Sequence, residues 1–599
     1  MTVTRKYAEQ IVDWLIELGY THCFFVAGGN IMHLLDAVRT RMTCIPVVHE
    51  VAAGIAAEYF NETAEDGRKA FALVTAGPGL TNIVTAVAGA WLESRELLVI
   101  GGQVKSSDLA TDGLRQRGIQ EIDGISVVGN LTVQTLRIAR PVSREVFDEA
   151  VLAGRRARRG PVFLEVCLDA QAAPALTETA PPNTAYAQPH GPAAAELGAI
   201  LEELRKARRP LLLLGGGVSR SAAAAVLGDL ESAGIPVMTT WNGADRIPAD
   251  HPLAWGRPNT WGQRAANVLL QQADLVVALG TRLGLQQTGF AWEHFVPIGR
   301  VVQVDIDPTE LRKGHPRVDV GVAADADGLL VSIIDAARRE GWGDRLVEWR
   351  AFGRKTLELL PLSEEVNIAT TGPGYLDPYR FVGELSSHLD GTEVIVPASS
   401  GGAFTVMMQA FRQKRGQIIV TDKGLASMGY GLSGAIGASV ANPGRRVVHV
   451  EGDGGFAQNL QELGTVAVNR LRVKTFLFCN EGYASIRMTQ RNYFGGAYIG
   501  CDVGTGLGLP HWPTLFQAYD IACLEVDPRE PFSRELLNAL DSETAHAFLV
   551  PIDPEQTYFP KITSRVREDG GMESNPLHLM SPDLADTVGA HVFQYMPPD

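Results

Sequence analysis

The 599 residues exceed what one hydrophobic core can hold, so a composition that is 45% apolar and 20% charged predicts about three to four globular domains. A formal net charge of −15 argues against a nucleic-acid partner, and no apolar run approaches the roughly 20 residues of a membrane span. Six scattered cysteines without metal-site spacing, and a start that lacks the layout of a signal peptide, favour a cytoplasmic protein without a zinc site.

Short β-branched apolar runs alternate with amphipathic helical patterns along three successive blocks of the chain. This alternation is typical of parallel α/β sheets, whose strands are buried on both faces and are therefore continuously apolar. We predict strands over 23–26, 45–48, 70–74, 97–102 and 162–166, then 210–216, 235–240, 275–280 and 301–307, then 394–398, 418–421, 447–454, 473–480 and 547–553.

Two segments rich in small residues and proline, 170–192 and 359–378, separate these blocks and are typical of linkers. After the last predicted strand the chain becomes polar and dotted with proline, which predicts a tail lying on the surface. The predicted fold is α/β, with three doubly wound parallel-sheet domains and a C-terminal arm; the bounds are 1–175, 193–345, 376–555 and 556–599.

A glycine-rich turn ends the predicted strand 447–454 and comprises Gly452, Asp453, Gly454 and Gly455. Glycines let the backbone turn sharply and approach a bulky anion, and the start of a helix offers free N–H groups to it. Asp453 would then hold a divalent cation beside that anion. Taken alone, such a turn is equally consistent with a purely structural role.

A second turn strengthens the functional interpretation. The predicted strand 473–480 ends in Asn480, followed by Gly482 and Tyr483. Parallel strands end at the same edge of a sheet, so Asp453 and Asn480 can face one ion. Oxygen ligands of this kind suit Mg²⁺.

These two motifs resemble those of thiamine-diphosphate enzymes, in particular the acetohydroxyacid-synthase-like branch, and the resemblance covers nearly the whole chain. It implies a pyrimidine-binding domain, a central domain and a diphosphate-binding domain, in that order. It also implies Mg²⁺ held by Asp453, Asn480 and the carbonyl of Gly482. The cofactor-binding positions that it implies at this end are Gly452, Gly454, Gly455 and Tyr483.

Glu50 opens an apolar helix directly after a predicted strand. A carboxylate there is consistent with a first-turn charge favoured by the helix dipole. In the resembled family the matching glutamate bonds the aminopyrimidine ring and activates the cofactor, and the resemblance implies that role for Glu50. Because that glutamate and the diphosphate site come from different subunits, it also implies a homodimer or homotetramer with sites at the interface.

Further positions match the family around the same cofactor. Gln120 corresponds to a glutamine beside the reacting carbon. Met428 corresponds to the side chain that bends the cofactor, although an isolated methionine is typical of core filler. The carbonyl of Ala426 would accept a hydrogen bond from the cofactor's amino group. The matching positions on the pyrimidine side are Gly28, Gly29, Gly77 and Asn82.

Two departures concern the acceptor substrate. Where branched-chain acetohydroxyacid synthases carry an arginine that clamps the acceptor carboxylate, this chain has Gln286, and a neutral amide cannot form that charge-assisted fork. A tryptophan that selects the acceptor in those synthases is absent near Arg491. Arg487 and Arg491 are candidate contacts to a polar acceptor. The alternative is neutral drift, with either arginine replacing the lost charge.

The segments 481–500 and 562–582 resemble carboligases that add an acetyl group to a ketone in branched-sugar synthesis. The leading hypothesis is therefore decarboxylation of a 2-oxo acid such as pyruvate, with transfer of the acyl carbanion to an aldehyde or ketone. The alternative is acetolactate synthesis from a second 2-oxo acid. A non-catalytic scaffold is a third hypothesis, which the intact Glu50, Asp453 and Asn480 disfavour.

The central block resembles the FAD-binding framework of the same synthases over 211–221, 280–284 and 301–307. The resemblance thus implies FAD with a structural role. The glycine run 215–217 lacks the spacing of a dinucleotide fingerprint, and related enzymes keep this domain without a flavin.

Overall fold

The computed structural model describes residues 5–156, 158–177, 194–362, 371–567 and 571–597. Three large sheets contain only parallel strands, which confirms the predicted α/β class with three parallel-sheet domains. The strands of each sheet lie within one of the predicted domain ranges, whose bounds stay predictions. No helix in the described ranges is long and apolar enough to cross a membrane.

The first sheet has six strands and is covered on both faces, because successive residues such as Cys23 and Phe24 enter different apolar clusters. Its strands are β1 Tyr20–Phe25, β2 Thr43–Pro46, β3 Lys69–Val74, β4 Leu97–Gln103, β5 Gln134–Ile138 and β6 Pro161–Cys167. They are ordered β2-β1-β3-β4-β6-β5, so β2 and β5 form the two edges and β6 lies between β4 and β5. The α-helices are Tyr7–Glu17, Met32–Val38, Glu50–Thr63, Pro78–Glu93, Gly124–Val128, Arg144–Leu152 and Leu168–Ala172.

The second sheet has five strands. They are β7 Pro210–Leu214, β8 Val237–Thr239, β9 Leu275–Leu279, β10 Arg300–Asp305 and β11 Val320–Ala323. Their order is β11-β10-β9-β7-β8. The α-helices here are Ala194–Lys206, Arg220–Val226, Leu230–Ala233, Arg264–Gln271, Leu285–Thr288, Ala326–Arg339, Trp342–Arg345 and Val347–Leu359.

The third sheet again has six strands. They are β12 Val394–Pro397, β13 Ile418–Ile419, β14 Val447–Gly452, β15 Val473–Cys479, β16 Ala522–Glu525 and β17 His546–Pro551. Their order, β13-β12-β14-β15-β17-β16, places β14 and β15 side by side at the centre. The α-helices are Pro378–Ser387, Gly401–Ala410, Tyr430–Ala441, Asp453–Phe456, Leu463–Val468, Ala484–Phe494, Trp512–Ala518 and Arg534–Asp541.

The first and third domains share an apolar core through the helices Glu50–Thr63 and Tyr430–Ala441. Small residues allow this close contact: a Cβ added at Gly437 would overlap the backbone of Ala56. The helix that begins with Glu50 is therefore fixed along its length by the C-terminal part of the same chain.

The C-terminal arm, predicted as a tail lying on the surface, is anchored in the central domain by a few buried apolar side chains. Leu577 and Met580 are buried in the apolar cluster that contains β9, and Val592 is buried beside the helix Arg264–Gln271. The arm's apolar residues are sparse and widely spaced, which is why the sequence pattern did not reveal a docked segment. Its elements are β18 Lys561–Ile562, β19 Ser564–Val566, β20 Met572–Ser574, β21 Met580–Ser581 and an α-helix Asp586–Val592.

Candidate active site

Asp453 lies at the end of β14, beside the end of β15. The parallel register pairs Gly452 with Phe478, which brings the turns that follow the two strands together. The Asp453 carboxylate is buried; its Oδ1 accepts hydrogen bonds from the N–H groups of Gly454 at 2.8 Å and Gly482 at 3.1 Å, and its Oδ2 accepts one from Glu481 at 3.0 Å. One carboxylate thus organises both turns.

Burial raises the pKa of the Asp453 carboxyl to about 7, although the backbone hydrogen bonds lower it. A buried carboxylate is stable in its charged form only beside compensating charge or donors. A divalent cation would supply that charge and return the pKa to its usual acidic range. The site therefore has the electrostatic character of a metal ligand.

The amide of Asn480 completes a set of converging oxygens. As placed, its oxygen lies 3.0 Å from Asp453 Oδ1 and 3.0 Å from the carbonyl oxygen of Gly482. Without a cation the amide would turn so that its nitrogen donates to both oxygens. If Mg²⁺ were bound, the amide would favour the orientation in which its oxygen faces the other two oxygens. Neighbouring oxygen ligands of Mg²⁺ are about 3 Å apart, which is the spacing found here. The three groups predicted to hold Mg²⁺ therefore lie together and fit it.

The glycines of the turn that contains Asp453 have different structural roles. A Cβ added at Gly454 would lie 2.5 Å from the ring of Tyr483 and 2.8 Å from the carbonyl carbon of Gly482, so the close approach of the two turns requires glycine there. At Gly455 the nearest described atom would be the Glu451 carboxylate at 3.1 Å. At Gly452 an added Cβ would meet no atom of the described chain within 4 Å, so this side is open to a bound group.

The segment around Met428 lies beside the same turns. Gln458 Nε2 is 3.7 Å from Met428 Sδ and 3.5 Å from the hydroxyl of Tyr483, so one side chain links both. Met428 is 37% exposed, which a core residue would not be. Ala426 has φ +56°, a left-handed conformation that costs a non-glycine residue energy and that often marks functional positions.

Three residues that the sequence did not reveal hold this segment in place. Ser399 donates to the carbonyl of Ser427, and Asn459 Nδ2 donates to the carbonyl of Gly429 at 2.7 Å. Gln458 is the third. All are ordinary polar residues, and they lie about 30 residues from the segment that they contact, so no local pattern could have indicated them.

Glu50 lies in a second cluster, formed by the N-terminal domain. It is buried at the first position of its helix, and Asn82 Nδ2 donates to its Oε2 at 2.9 Å. The loop before it is held from the C-terminal domain, because Glu462 accepts hydrogen bonds from the N–H groups of Val48 at 3.1 Å and His49 at 3.0 Å. Glu462 was also missed by the sequence analysis.

Gln120 and the two predicted glycine loops belong to this N-terminal cluster. A Cβ added at Gly77, which has φ +62°, would overlap the carbonyl oxygen of Gln120. The Gln120 backbone can therefore pack closely here only because residue 77 is glycine. A Cβ added at Gly28 would overlap the Thr75 side chain, whereas one added at Gly29 would meet no atom of the described chain within 4 Å. The Gln120 side chain is exposed.

The loop before Gln120 is organised by a carboxylate that the sequence analysis also missed. Glu121 is buried, and it accepts hydrogen bonds from the backbone N–H groups of Ala110, Arg117 and Gly118. These bonds lower the pKa of Glu121, although burial opposes them. The loop is therefore shaped by its own chain, while its outer surface stays exposed.

The candidate residues thus form two clusters within one chain. Glu50, Asn82, Gly77 and Gln120 lie together, and Asp453 lies with the predicted metal ligands and the Met428 segment. No hydrogen bond within the described residues joins the two clusters. Each cluster therefore contains part of the predicted active site.

Comparison with known proteins identifies the family of the chain. Models of the thiamine pyrophosphate (thiamine diphosphate) enzymes match in three parts: the N-terminal TPP binding domain at residues 5–127, the central domain at 197–333 and the C-terminal TPP binding domain at 400–550. Acetolactate synthase isozyme 1 large subunit of Escherichia coli (strain K12) is 30% identical over 94% of this chain and 97% of its own length. The chain belongs to the thiamine-diphosphate enzyme family.

Other relatives have the same type of name. The probable acetolactate synthase large subunit of Methanocaldococcus jannaschii is 28% identical over 92% of both chains. Acetolactate synthase 1, chloroplastic, of Oryza sativa is 28% identical over 94% of this chain and 86% of its own length. The protein is therefore a thiamine-diphosphate enzyme of the acetolactate-synthase-like group, with Mg²⁺ as its metal.

Arg487 of this thiamine-diphosphate enzyme is unsuited to the predicted contact with an acceptor. Its guanidinium is buried and donates to the carbonyls of Asn480 at 3.2 Å and Glu481 at 3.3 Å, to the carbonyl of Pro554 at 2.9 Å and to the Asp502 carboxylate at 3.1 Å. All of its nitrogens are engaged, so Arg487 supports the metal-binding turn.

The other two predicted acceptor residues lie nearer the surface. Arg491 donates to the Glu555 carboxylate at 2.5 Å and to the Thr557 hydroxyl at 3.0 Å. Gln286 is exposed, and its backbone carbonyl accepts a hydrogen bond from the N–H of Thr260 at 2.9 Å. Neither position contradicts the predicted role.

The glycines of the central domain have a structural explanation that involves no flavin. The N–H of Gly217 donates to the carbonyl of Gly280 at 2.9 Å, and a Cβ added at Gly215 would overlap that same carbonyl. The absence of side chains in the glycine run therefore lets the turn that follows β9 pack directly against it. FAD, which is typical of the resembled synthases, stays a prediction for this chain, and no step of the reaction is derived through it.

Proposed function

We propose that this thiamine-diphosphate enzyme decarboxylates pyruvate and transfers the resulting two-carbon unit to the carbonyl group of an aldehyde or ketone. The coenzyme, when bound, supplies the electron sink that allows a 2-oxo acid to lose CO₂. The observation that carries the proposal is the pair of half-sites, one with a buried glutamate and one with converging oxygens for Mg²⁺. The neutral Gln286 favours an acceptor other than a second 2-oxo acid.

The chain's own residues would act as follows. Glu50, oriented by Asn82, holds a proton at the edge of the pyrimidine ring. Asp453, Asn480 and the carbonyl of Gly482 hold Mg²⁺ against the diphosphate. The remaining positions that we propose to line the cofactor are Gly28, Gly29, Gly77, Asn82, Gln120, Ala426, Met428, Gly452, Gly454, Gly455 and Tyr483.

We also propose that the active sites form between two copies of the chain, in a homodimer or homotetramer. The two clusters are separate within one chain, and each carries exposed apolar side chains: Val48 and Ile119 on the N-terminal side, and Met428 on the C-terminal side. Such side chains are favoured at subunit interfaces. The cytoplasmic location stays a prediction from the sequence.

The assembly is directly measurable. Because Glu50 must meet the partner's metal site, we expect light scattering of the active enzyme to give the mass of a dimer or tetramer, with activity that falls in proportion as the protein is diluted into monomers. A monomer that retains full activity at all dilutions would contradict the shared site.

The names of the relatives favour acetolactate synthesis as the second candidate. Incubation with pyruvate as sole substrate distinguishes the two candidates. We expect CO₂ release with little acetolactate, and additional carboligation product when an aldehyde or ketone is added. Acetolactate formed at the same rate as CO₂ would establish the second candidate instead.

A further inference from the structure

Lys561 from the C-terminal arm lies beside the helix that follows the metal-binding turn. Its Nζ is 3.6 Å from Met488 Sδ, 5.3 Å from the centroid of the Trp261 ring and 5.7 Å from that of Phe559. The ammonium group is therefore surrounded on several sides by aromatic and thioether groups. Such neighbours attract a cation weakly and do not replace its water.

The charge of Lys561 has no partner of opposite sign in the described ranges, where no carboxylate lies within ion-pair distance of it. Its charged neighbour is another cation, Arg491, which is paired with Glu555. Burial, and secondarily Arg491, lower the pKa of Lys561. A half-buried ammonium group beside a second cation is an arrangement that an anion would stabilise.

The place of Lys561 relative to the reacting centre follows from the helix Ala484–Phe494. This helix begins directly after Gly482 and Tyr483, and Met488 lies four residues, about 6 Å along the axis, beyond its start. Lys561 thus lies beyond the metal-binding turn rather than at it. An anionic group bound there would be several bonds away from a carbonyl that reacts at the cofactor.

The neighbouring backbone connects Lys561 to the position that departs from the resembled synthases. The N–H of Ile562 donates to the carbonyl of Thr260 at 3.0 Å, and the N–H of Thr260 donates to the carbonyl of Gln286 at 2.9 Å. The chain therefore has a neutral side chain at 286 and, two backbone contacts away, a cation without a carboxylate partner in the described ranges. The region therefore contains a positive charge, but at residue 561 instead of residue 286.

We propose that Lys561, assisted by Arg491, binds an anionic group of the acceptor that is distant from its carbonyl, such as a phosphate or a remote carboxylate. This inference rests on the proposed function, since it specifies the acceptor of that reaction. It disfavours a short 2-oxo acid as acceptor, because the carboxylate of such an acid is attached to the carbonyl itself.

The test compares matched acceptors with pyruvate as donor, using the full-length enzyme with thiamine diphosphate and Mg²⁺. The pairs are dihydroxyacetone phosphate with dihydroxyacetone, and 4-oxopentanoate with 2-pentanone, so that phosphate and carboxylate are tested separately. We measure kcat/KM for each acceptor and take the charged-to-neutral ratio. The wild type should prefer the charged member of at least one pair.

The ratio should fall roughly 10- to 100-fold in Lys561→Met, whose unbranched side chain is one atom shorter and cannot make a charge-assisted hydrogen bond. Lys561→Arg should largely preserve it. Lys355→Met, at an exposed lysine of the helix Val347–Leu359, is the control and should leave the ratio unchanged.

The two ideas fail in different ways. If the wild type releases no CO₂ from pyruvate, the proposed function is wrong. If it releases CO₂ but shows no preference for either charged acceptor, or keeps that preference in a folded, CO₂-releasing Lys561→Met variant, the subsite is wrong and the proposed function stands. Should Lys561→Met lose CO₂ release altogether, the ratio in Lys561→Gln decides in the same way.

Discussion

Glu50→Gln is expected to lower the rate of CO₂ release from pyruvate by at least about 100-fold, the typical contribution of a positioned acid–base group. Glutamine has the same shape and can still accept a hydrogen bond from Asn82, so the helix start should keep its geometry. What it lacks is a carboxyl group able to hold and return a proton. Steady-state CO₂ release measures the effect, and calorimetry with thiamine diphosphate and Mg²⁺ shows whether the cofactor still binds.

A matched control separates this role from that of a helix-dipole charge. Glu145 also lies in the first turn of a helix, Arg144–Leu152, but it is exposed. A first-turn carboxylate contributes about 0.3–1 kcal/mol to stability and nothing to chemistry. Glu145→Gln should therefore leave activity unchanged. If Glu50→Gln behaves like Glu145→Gln, Glu50 is only a structural charge and the assigned mechanism fails.

The sequence predicted the centre of each sheet and missed part of its edge. In the three large parallel sheets, the strands absent from the predictions are β5, β11 and β16, and each is the last strand on one side of its sheet. Central strands are buried on both faces and are continuously apolar, whereas these edge strands are largely half-buried or exposed. β5 and β16 include polar residues, and β11 has only four residues, one of them a glycine, so their patterns do not differ from those of loops.

The candidate site was predictable where its residues follow strands directly. Asp453 and Asn480 each stand directly after a buried strand, and Glu50 opens the helix that follows β2, so the order of elements places all three at sheet edges. Glu462 and Asn459 act on loops that are far away in sequence, and only tertiary structure reveals such contacts. The burial of Arg487 was equally hidden, because partners of its guanidinium such as Pro554 and Asp502 lie in other segments.

Asp453→Asn is expected to weaken binding of thiamine diphosphate in the presence of Mg²⁺ by at least about 100-fold. Loss of an outer-shell partner alone typically costs 10–100-fold in metal affinity, and Asp453 would be a direct ligand. The fold should survive, because the neutral amide removes a buried charge and can still accept a backbone hydrogen bond from Gly482. Calorimetry measures the affinity. The exposed Asp527→Asn is the control and should bind as the wild type does.

The same residue predicts how cofactor binding depends on pH. In the cofactor-free protein the pKa of Asp453 is raised from 3.8 to about 7, so its protonated form favours folding below about pH 4, and that contribution is lost as the pH rises through 7. Mg²⁺ requires the ionised form, so a proton must leave before the ion binds. The rise in melting temperature caused by thiamine diphosphate with Mg²⁺ should therefore be smaller at pH 6 than at pH 8.

In Asp453→Asn this difference between pH 6 and pH 8 should disappear, since the side chain no longer titrates. Thermal unfolding of both proteins at the two pH values, with and without the cofactor, measures it. An equal cofactor-induced shift at both pH values in the wild type would mean that Asp453 does not exchange a proton for the metal. Tight cofactor binding by Asp453→Asn would contradict the proposed metal site itself. The three converging oxygens would then not anchor the diphosphate.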